Sequence, residues 1–185
     1  MPTTRLDHFD NSAYKPGSSL ARVLWVLVLG LFFQTWLPWP SLFKRGWLRL
    51  FGAKVGCGVV IKPRVTIKYP WKLSIGDHCW IGEKVWIDNL GQVTLGNNCC
   101  LSQGALLLCG NHNYKKPTFD LIVGDITLED GVWIGARASL GPGLACGSHS
   151  VLAMGSMATS NLETWGIHQG NPAQKIRHRA IETSE

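Results

Sequence analysis

Several absences bound what this chain can do. Its six cysteines contain no Cys-x-x-Cys pair and have no histidine partners at ligand spacing, so neither a zinc site nor a disulfide framework is expected. They read instead as small buried hydrophobes in a reducing compartment. No Walker or Rossmann glycine signature offers a phosphate loop. Lys and Arg number 18 against 12 Asp and Glu, a formal charge of +6, yet no nucleic-acid motif accompanies it. The basic residues gather at Lys44, Arg45, Arg49 and Lys54, at Lys62, Arg64, Lys68 and Lys72, and at Lys175, Arg177 and Arg179. Such clusters suit an anionic membrane face or phosphate-bearing ligands. The longest uncharged apolar run, Val23 to Leu37, is 15 residues, short of the roughly 20 that cross a bilayer. It lies far from the N-terminus with no small-residue cleavage site after it, so no cleavable signal is expected.

What is present is a period of six. Aliphatic anchors stand at Val55, Ile61 and Ile67, at Ile75, Ile81 and Ile87, and at Leu95, Leu101 and Leu107. After a gap they resume at Leu128, Ile134 and Leu140, and at Cys146, Leu152 and Ala158. Six fits neither the 3.6 of a helix nor the alternation of a long strand, and it marks a hexapeptide β-helix. Each hexad makes a short strand and a tight turn, and three close one triangular coil. Five coils stacked about 4.8 Å apart bury anchors that one coil could not. Glycine often follows the anchor, as at Gly56, Gly76, Gly82, Gly96, Gly135, Gly141 and Gly147, where the backbone bends close to its neighbour. Two slips of eight, around Tyr69 to Trp71 and Asn89 to Gly91, read as corner bulges.

The flanks divide simply. Residues 1–19 form a polar arm of the kind that packs on a neighbour or frays. Residues 20–54 form an apolar and basic helical cap, with a start signal at Ser18 or Ser19 and stops at Pro38 and Pro40. Within it, residues 41–51 set Leu42, Phe43, Trp47, Leu48 and Leu50 among Lys44, Arg45 and Arg49. That pattern fits either a lid on the open end of the β-helix, whose edge strands need protection, or a helix lying on anionic lipid. The repeat occupies 55–160, interrupted by a loop at 108–127, and 161–185 is a C-terminal extension.

The repeat, with Gly-Asp-His-Cys-Trp-Ile-Gly at 76–82, Val-Trp-Ile-Gly at 132–135 and Gly-Asn-Pro-Ala at 170–173, resembles the hexapeptide-repeat acyltransferases. Within them it is most similar to exopolysaccharide O-acetyltransferases of the colanic-acid type. The resemblance implies left-handed winding, an exception to the usual right-handed crossover. It also implies a homotrimer with sites between subunits, acetyl-CoA as co-substrate and a sugar or glycan acceptor. The cysteines and the lack of a cleavable signal place the chain in the cytoplasm, peripheral at the inner face of the membrane through residues 20–51 if the cap also touches lipid.

Carried over position by position, the resemblance makes His112, in the 108–127 loop, the general base, since an imidazole titrates near neutrality and can take a hydroxyl proton. Asp88, Asn89, Asp120 and Asp125 are open as its orienting partner. Asp88, Asn89, Tyr114 and Lys115 are candidate acceptor contacts, with Lys116 beside them. Ala136 matches a residue whose backbone N–H faces the thioester, where an oxyanion develops. Met154, Gly155, Ser156 and Thr159 match the pantetheine wall. Ser160 stands where many relatives carry lysine, Arg177 matches a phosphate-reaching base, and Lys175 or Arg179 could replace the lysine.

Three further readings exist. A zinc carbonic anhydrase on this fold needs a second histidine five residues after the first, and Pro117 stands there; three protein ligands cannot be assembled. An acetyltransferase with a non-sugar acceptor, and a catalytically silent scaffold binding through its N-terminal helices, are the alternatives to sugar O-acetylation.

Overall fold

The period of six arises because each hexad contains one turn of fixed shape. In the computed structural model, which describes residues 3–182, the carbonyl of the first turn residue accepts the N–H of the residue three later, as from Ala105 to Ser102 and from Ala138 to Gly135. The third turn residue takes a left-handed φ, 58° at Lys84, 56° at Arg137 and 69° at Gly104, the form of a type II turn. The chain then re-enters a strand two or three residues long. Residues 1–2 of the arm and 183–185 of the extension lie outside the described residues.

Three parallel faces result. The first stacks Lys54–Val55, Leu73–Ile75, Val93–Leu95, Ile126–Leu128 and Ala145–Cys146. Val60–Ile61, Trp80–Ile81, Cys100–Leu101, Trp133–Ile134 and Val151–Leu152 form the second, which the hairpin Gly166–Gly170 and Ala173–His178 extends. The third holds Thr66–Ile67, Trp86–Asp88, Leu106–Leu108, Ser139–Leu140 and Met157–Ala158. Anchors lie directly above anchors, Ile61 on Ile81 and Ile81 on Leu101, so each face contributes one column to the core. All the anchors from Val55 to Ala158 are buried.

A second inward position, two residues before the anchor, is buried as well, at Val59, Val65, Cys79, Val85, Cys99 and Ala105. The post-anchor glycines are required by proximity. A Cβ on Gly76 would sit 2.6 Å from the Gly96 backbone, and one on Gly135 2.6 Å from the Met154 nitrogen; no side chain fits there. Gly141 is looser, with its nearest atom at 3.5 Å. The cysteines are all free. Cys79 and Cys99 point inward and donate to the carbonyls of Gly96 and Glu129, both at 3.0 Å. Cys57, by contrast, is exposed, so the buried reading does not hold for every one.

The first slip of eight is a 3-10 turn, Pro70–Lys72. Buried Asn89 braces it: its Oδ1 accepts the Tyr69 N–H at 3.0 Å, while its Nδ2 donates to the carbonyls of Tyr69 at 2.6 Å and Lys72 at 3.1 Å.

The open end of the first coil is closed by the N-terminal helices. Helix α1, Ser19–Val28, continues through a π-helical turn, Leu29–Phe33, and helix α2 is Ser41–Leu50. Ser18 stands at the N-cap of α1, but its hydroxyl makes no capping bond. The helices instead pair the coil's free backbone groups with side chains. Arg49 donates to Val55 O at 2.6 and 3.0 Å, Lys44 to Ile61 O at 3.3 Å and Lys62 O at 2.9 Å, and Trp25 to Ile67 O at 2.7 Å. Ser41 Oγ accepts the Ile61 N–H at 3.0 Å. Segment 41–51 therefore acts as a lid on the solenoid, whatever else it touches. At the far end, Leu162 bridges to Cys146 and Arg179 donates to the carbonyls of Gly131 and His149 at 3.0 and 3.1 Å.

The arm neither leaves the subunit nor hangs free over its described length. It runs along one corner, with Trp71 Nε1 donating to Pro16 O at 3.1 Å, Tyr14 Oη to Leu90 O at 2.8 Å, and Arg5 N to Pro117 O at 2.8 Å. Its tip thus lies on the 108–127 loop.

Burial without a carboxylate pushes the Lys44 ammonium down from the usual 10.5 to about 8. Between these values the unfolded chain binds the extra proton, so this group makes stability rise with pH from about 8 toward 10.5. Lys44→Met should lower stability at pH 7 by about 1–3 kcal/mol, the usual cost of unpaired buried carbonyls. Denaturant melts should show wild type gaining on the variant as pH rises through that window. A gap that is constant with pH would contradict this account.

Candidate active site

The gap in the repeat is filled by a hairpin. Strand Gly110–His112 pairs antiparallel with Leu121–Val123, placing His112 opposite Leu121. It leaves the third face after Leu108 and returns to the first face at Ile126, so it projects from the corner between them. Asp88 O accepts the Cys109 N–H at 3.2 Å and fixes its base.

At its tip, Phe119 takes a left-handed φ of 53°, uncommon for an aromatic residue. This turn aims the Phe119 carbonyl at the imidazole of His112, 2.8 Å from Nδ1. A carbonyl can only accept, so Nδ1 carries the hydrogen and Nε2 presents a lone pair. The Phe119 ring stacks on His112 at 4.5 Å and 8°, and Phe9 from the arm packs on it at 5.6 Å. The orienting partner is therefore a backbone carbonyl. None of the carboxylates considered for that role has it: Asp120 accepts from Lys116 at 2.8 Å and Thr118 at 2.6 Å, and Asp125 from the Gln92 N–H at 2.8 Å. Asp88 Oδ1 stands 2.8 Å from Lys68 Nζ, at ion-pair distance without hydrogen-bond alignment.

Other expected acceptor contacts are spread along the same corner. Tyr114 and Lys115 are exposed at the hairpin tip, free to meet a ligand. Asn89 is fully buried, and its amide is committed to the corner turn.

A second feature lies at the next corner, between the second and third faces. There Ala136, Met154 and Arg177 line one groove of about 700 Å³ together with Trp133 and Ile167. The Ala136 N–H has no acceptor among the described residues, whereas its neighbours Gly135 and Arg137 donate to Leu152 O and Gln103 O. Trp133 Nε1 is held by Ser102 Oγ at 2.9 Å, which sets its ring as a wall. Gly155, with φ 68°, belongs to the same corner and donates to Ala136 O. Ser156 is buried, its hydroxyl accepting the Gly170 N–H at 3.0 Å, so it supports the groove from behind. Thr159 is exposed but lies past the third face, on the corner that carries the hairpin. Lys175 pairs with Glu163 at 2.5 Å and Arg179 with backbone carbonyls, which leaves Arg177 as the groove's uncommitted cation among the described residues.

Sequence reasoning did not find Phe119, Phe9 or the Trp133 wall. No spacing marks Phe119, because its role is carried by a main-chain oxygen. Trp133 occupies an outward strand position that the hexad pattern treats as neutral.

Within one chain the imidazole and the groove stand at different corners of the prism. No group of three or more His, Cys, Asp or Glu that could hold a metal ion occurs among the described residues.

Comparison with known proteins agrees with the fold. A family profile for the hexapeptide repeat of succinyl-transferase matches residues 72–109. A candidate colanic acid biosynthesis acetyltransferase of Escherichia coli (strain K12) is 34% identical over 171 residues, covering 92% of this chain and 93% of the relative. Among solved structures, a hexapeptide-repeat acetyltransferase of Vibrio cholerae complexed with acetyl coenzyme A superposes with a TM-score of 0.79 at 19% identity, over 93% of this chain and 96% of the other. A galactoside acetyltransferase in complex with coenzyme A gives 0.79 at 21% identity, over 92% and 85%. These neighbours share the left-handed parallel β-helix of about five coils.

The His112 tautomer is directly testable. Nitrogen-15 spectra should show His112 with Nδ1 protonated and Nε2 bare, and Phe119→Gly, which accepts a left-handed φ, should keep that tautomer while losing the stack. Phe119→Pro, which fixes φ near −65°, should abolish it. Protonation at Nε2 in the wild type would overturn the assignment.

Proposed function

The chain belongs to the hexapeptide-repeat acetyltransferases, and on that premise we propose that it moves an acetyl group from acetyl-CoA to a hydroxyl of a sugar during assembly of an exopolysaccharide or other cell-surface glycan. The observation that carries this reading is the free Nε2 of His112, presented by a hairpin that leaves the repeat. The homologue assigned to colanic acid biosynthesis supports the acceptor class.

The imidazole and the groove occupy different corners, so one chain holds two half-sites. Three prisms packed about a common axis bring the hairpin corner of each against the groove corner of the next and complete three equivalent sites. In that homotrimer Thr159, above the hairpin, would wall the pantetheine from one side while Met154 and Trp133 face it from the other. Arg177 is placed to meet a nucleotide phosphate. Tyr114 and Lys115 are the acceptor contacts nearest the base, and Asp88 reaches the same corner through its pair with Lys68. The reaction is assigned to the cytoplasm, where acetyl-CoA is made.

The chemistry then follows from the two half-sites. His112 Nε2 takes the proton of the acceptor hydroxyl as that oxygen attacks the thioester carbon. The imidazolium that forms is stabilised through Nδ1–H by the Phe119 carbonyl, a dipole in the position a carboxylate often holds. The carbonyl oxygen becomes an oxyanion 
facing the Ala136 N–H of the adjacent subunit. Collapse breaks the C–S bond, the C–O ester remains, and the leaving thiolate recovers the proton from Nε2. No acyl-enzyme is formed.

Thiol release from acetyl-CoA with a panel of nucleotide sugars and short glycans tests this reading. His112→Ala should lose acceptor-dependent turnover by about 10²–10⁴-fold, the usual weight of a general base, while remaining trimeric by light scattering. Arg177→Ala should raise KM for acetyl-CoA and leave kcat nearly unchanged, because it would act on binding alone. Wild-type protein that neither binds coenzyme A nor releases thiol with any acceptor would favour a silent scaffold.

A further inference from the structure

Helix α1 is apolar around most of its surface, with Arg22 its one charged residue, yet only one side is covered. Trp25 and Val28 face the prism, while Leu20, Leu24, Leu27 and Leu31 form an outward row at helical spacing, each between 45% and 69% exposed. A helix of this kind belongs in a core or against lipid. Leu42 and Leu50 of α2 are exposed at 69% and 73% on the same cap. Between the two helices lies an apolar groove of about 960 Å³, lined by leucines of both and by Trp47 and Trp71. An exposed apolar surface of this kind marks a docking site.

The charge around it names the occupant. From residue 11 to residue 76 there is no Asp or Glu, while Lys and Arg occur ten times. Two of these cations, Lys44 and Arg49, are turned inward to the first-coil carbonyls, but Arg45 is only half-buried and Lys54 is exposed. Apolar side chains flanked by uncompensated cations and by Trp and Phe rings match the chemistry of an anionic bilayer surface, where rings and aliphatics enter the headgroup boundary and cations meet phosphate. No helix among the described residues is long and apolar enough to cross a membrane, so the helix would lie in the plane.

We propose that the α1–α2 end of the prism docks on anionic phospholipid, with the leucine row and the groove between the helices entering the bilayer boundary. This surface stands apart from the imidazole and the coenzyme groove, and the inference does not depend on the reaction. In the homotrimer proposed above, the three caps share one end and bind together, which strengthens attachment without new contacts.

The test is co-sedimentation of the full chain with vesicles of phosphatidylcholine alone and of phosphatidylcholine with 30% phosphatidylglycerol, compared with Leu24→Gln/Leu27→Gln/Leu31→Gln. Wild type should bind the anionic vesicles, bind neutral ones at least tenfold more weakly, and release as salt rises from about 0.1 to 0.5 M, where charges are screened within a few ångströms. The triple variant should bind anionic vesicles at least tenfold more weakly while keeping its melting transition and its thiol release with soluble acceptors. Absence of vesicle binding, or binding unchanged in the variant, overturns the proposal. So does a doubling of assembly mass that the variant abolishes without any vesicle binding, which would make the cap an interface between copies. Thiol release is read separately, so a failure of docking and a failure of the catalytic reading are told apart.

Discussion

A stack of parallel strands must end, and at its end it presents unpaired backbone groups. The two helices at the N-terminal end of this protein answer that constraint on their inner side. The first coil offers the carbonyls of Val55, Ile61, Lys62 and Ile67, and Arg49, Lys44 and Trp25 take them up from two helices laid across the opening. An exposed strand edge would invite another chain to pair with it. Burying a lysine is the less favourable part of the solution, since its ammonium loses hydration, and its lowered proton affinity records that. The carbonyl bonds offset the loss, and the apolar outer surface of the cap is what remains on the far side.

The same regularity that fills the core leaves little room for chemistry. Each face presents outward side chains in ladders, and each corner is a tight turn, at several of which, as at Gly76 and Gly135, no Cβ fits. Function enters where the regularity is broken. The hairpin Gly110–Val123 interrupts the third coil without disturbing it, because Leu128 resumes directly above Leu95 in the first-face column. The opposite half-site needs no break: the turn after Ile134 leaves the Ala136 N–H unpaired as a consequence of its shape.

Catalytic histidines are commonly oriented by a carboxylate. The proposed base, His112, has a carbonyl instead, presented by a strained Phe119 whose ring also covers the imidazole. A neutral dipole fixes the tautomer, less strongly than a charge would, and adds no negative charge to that corner. Phe9 closes the third side from the arm, whose backbone is tied to the loop at Pro117. Strain held in this way is characteristic of functional loops.

The fold was almost wholly legible in the sequence, because the anchors from Val55 to Ala158 recur at a spacing that only one kind of repeat satisfies. The division into hairpin and repeat was legible for the same reason, since a lost register is as visible as a kept one. Amphipathic residues 41–51 could be read as a lid, but not which atoms they would close. The sequence by itself determined the coil, its five-fold stacking and the place where chemistry could be inserted, since these depend on side-chain polarity repeated at fixed intervals. Only the tertiary structure decided that Asn89 braces a turn, that Ser156 faces inward, that Phe119 rather than an aspartate orients His112, and that the imidazole and the groove lie at separate corners of one chain. Those outcomes rest on backbone dihedrals and main-chain hydrogen bonds, which every residue carries and no spacing of side chains reveals.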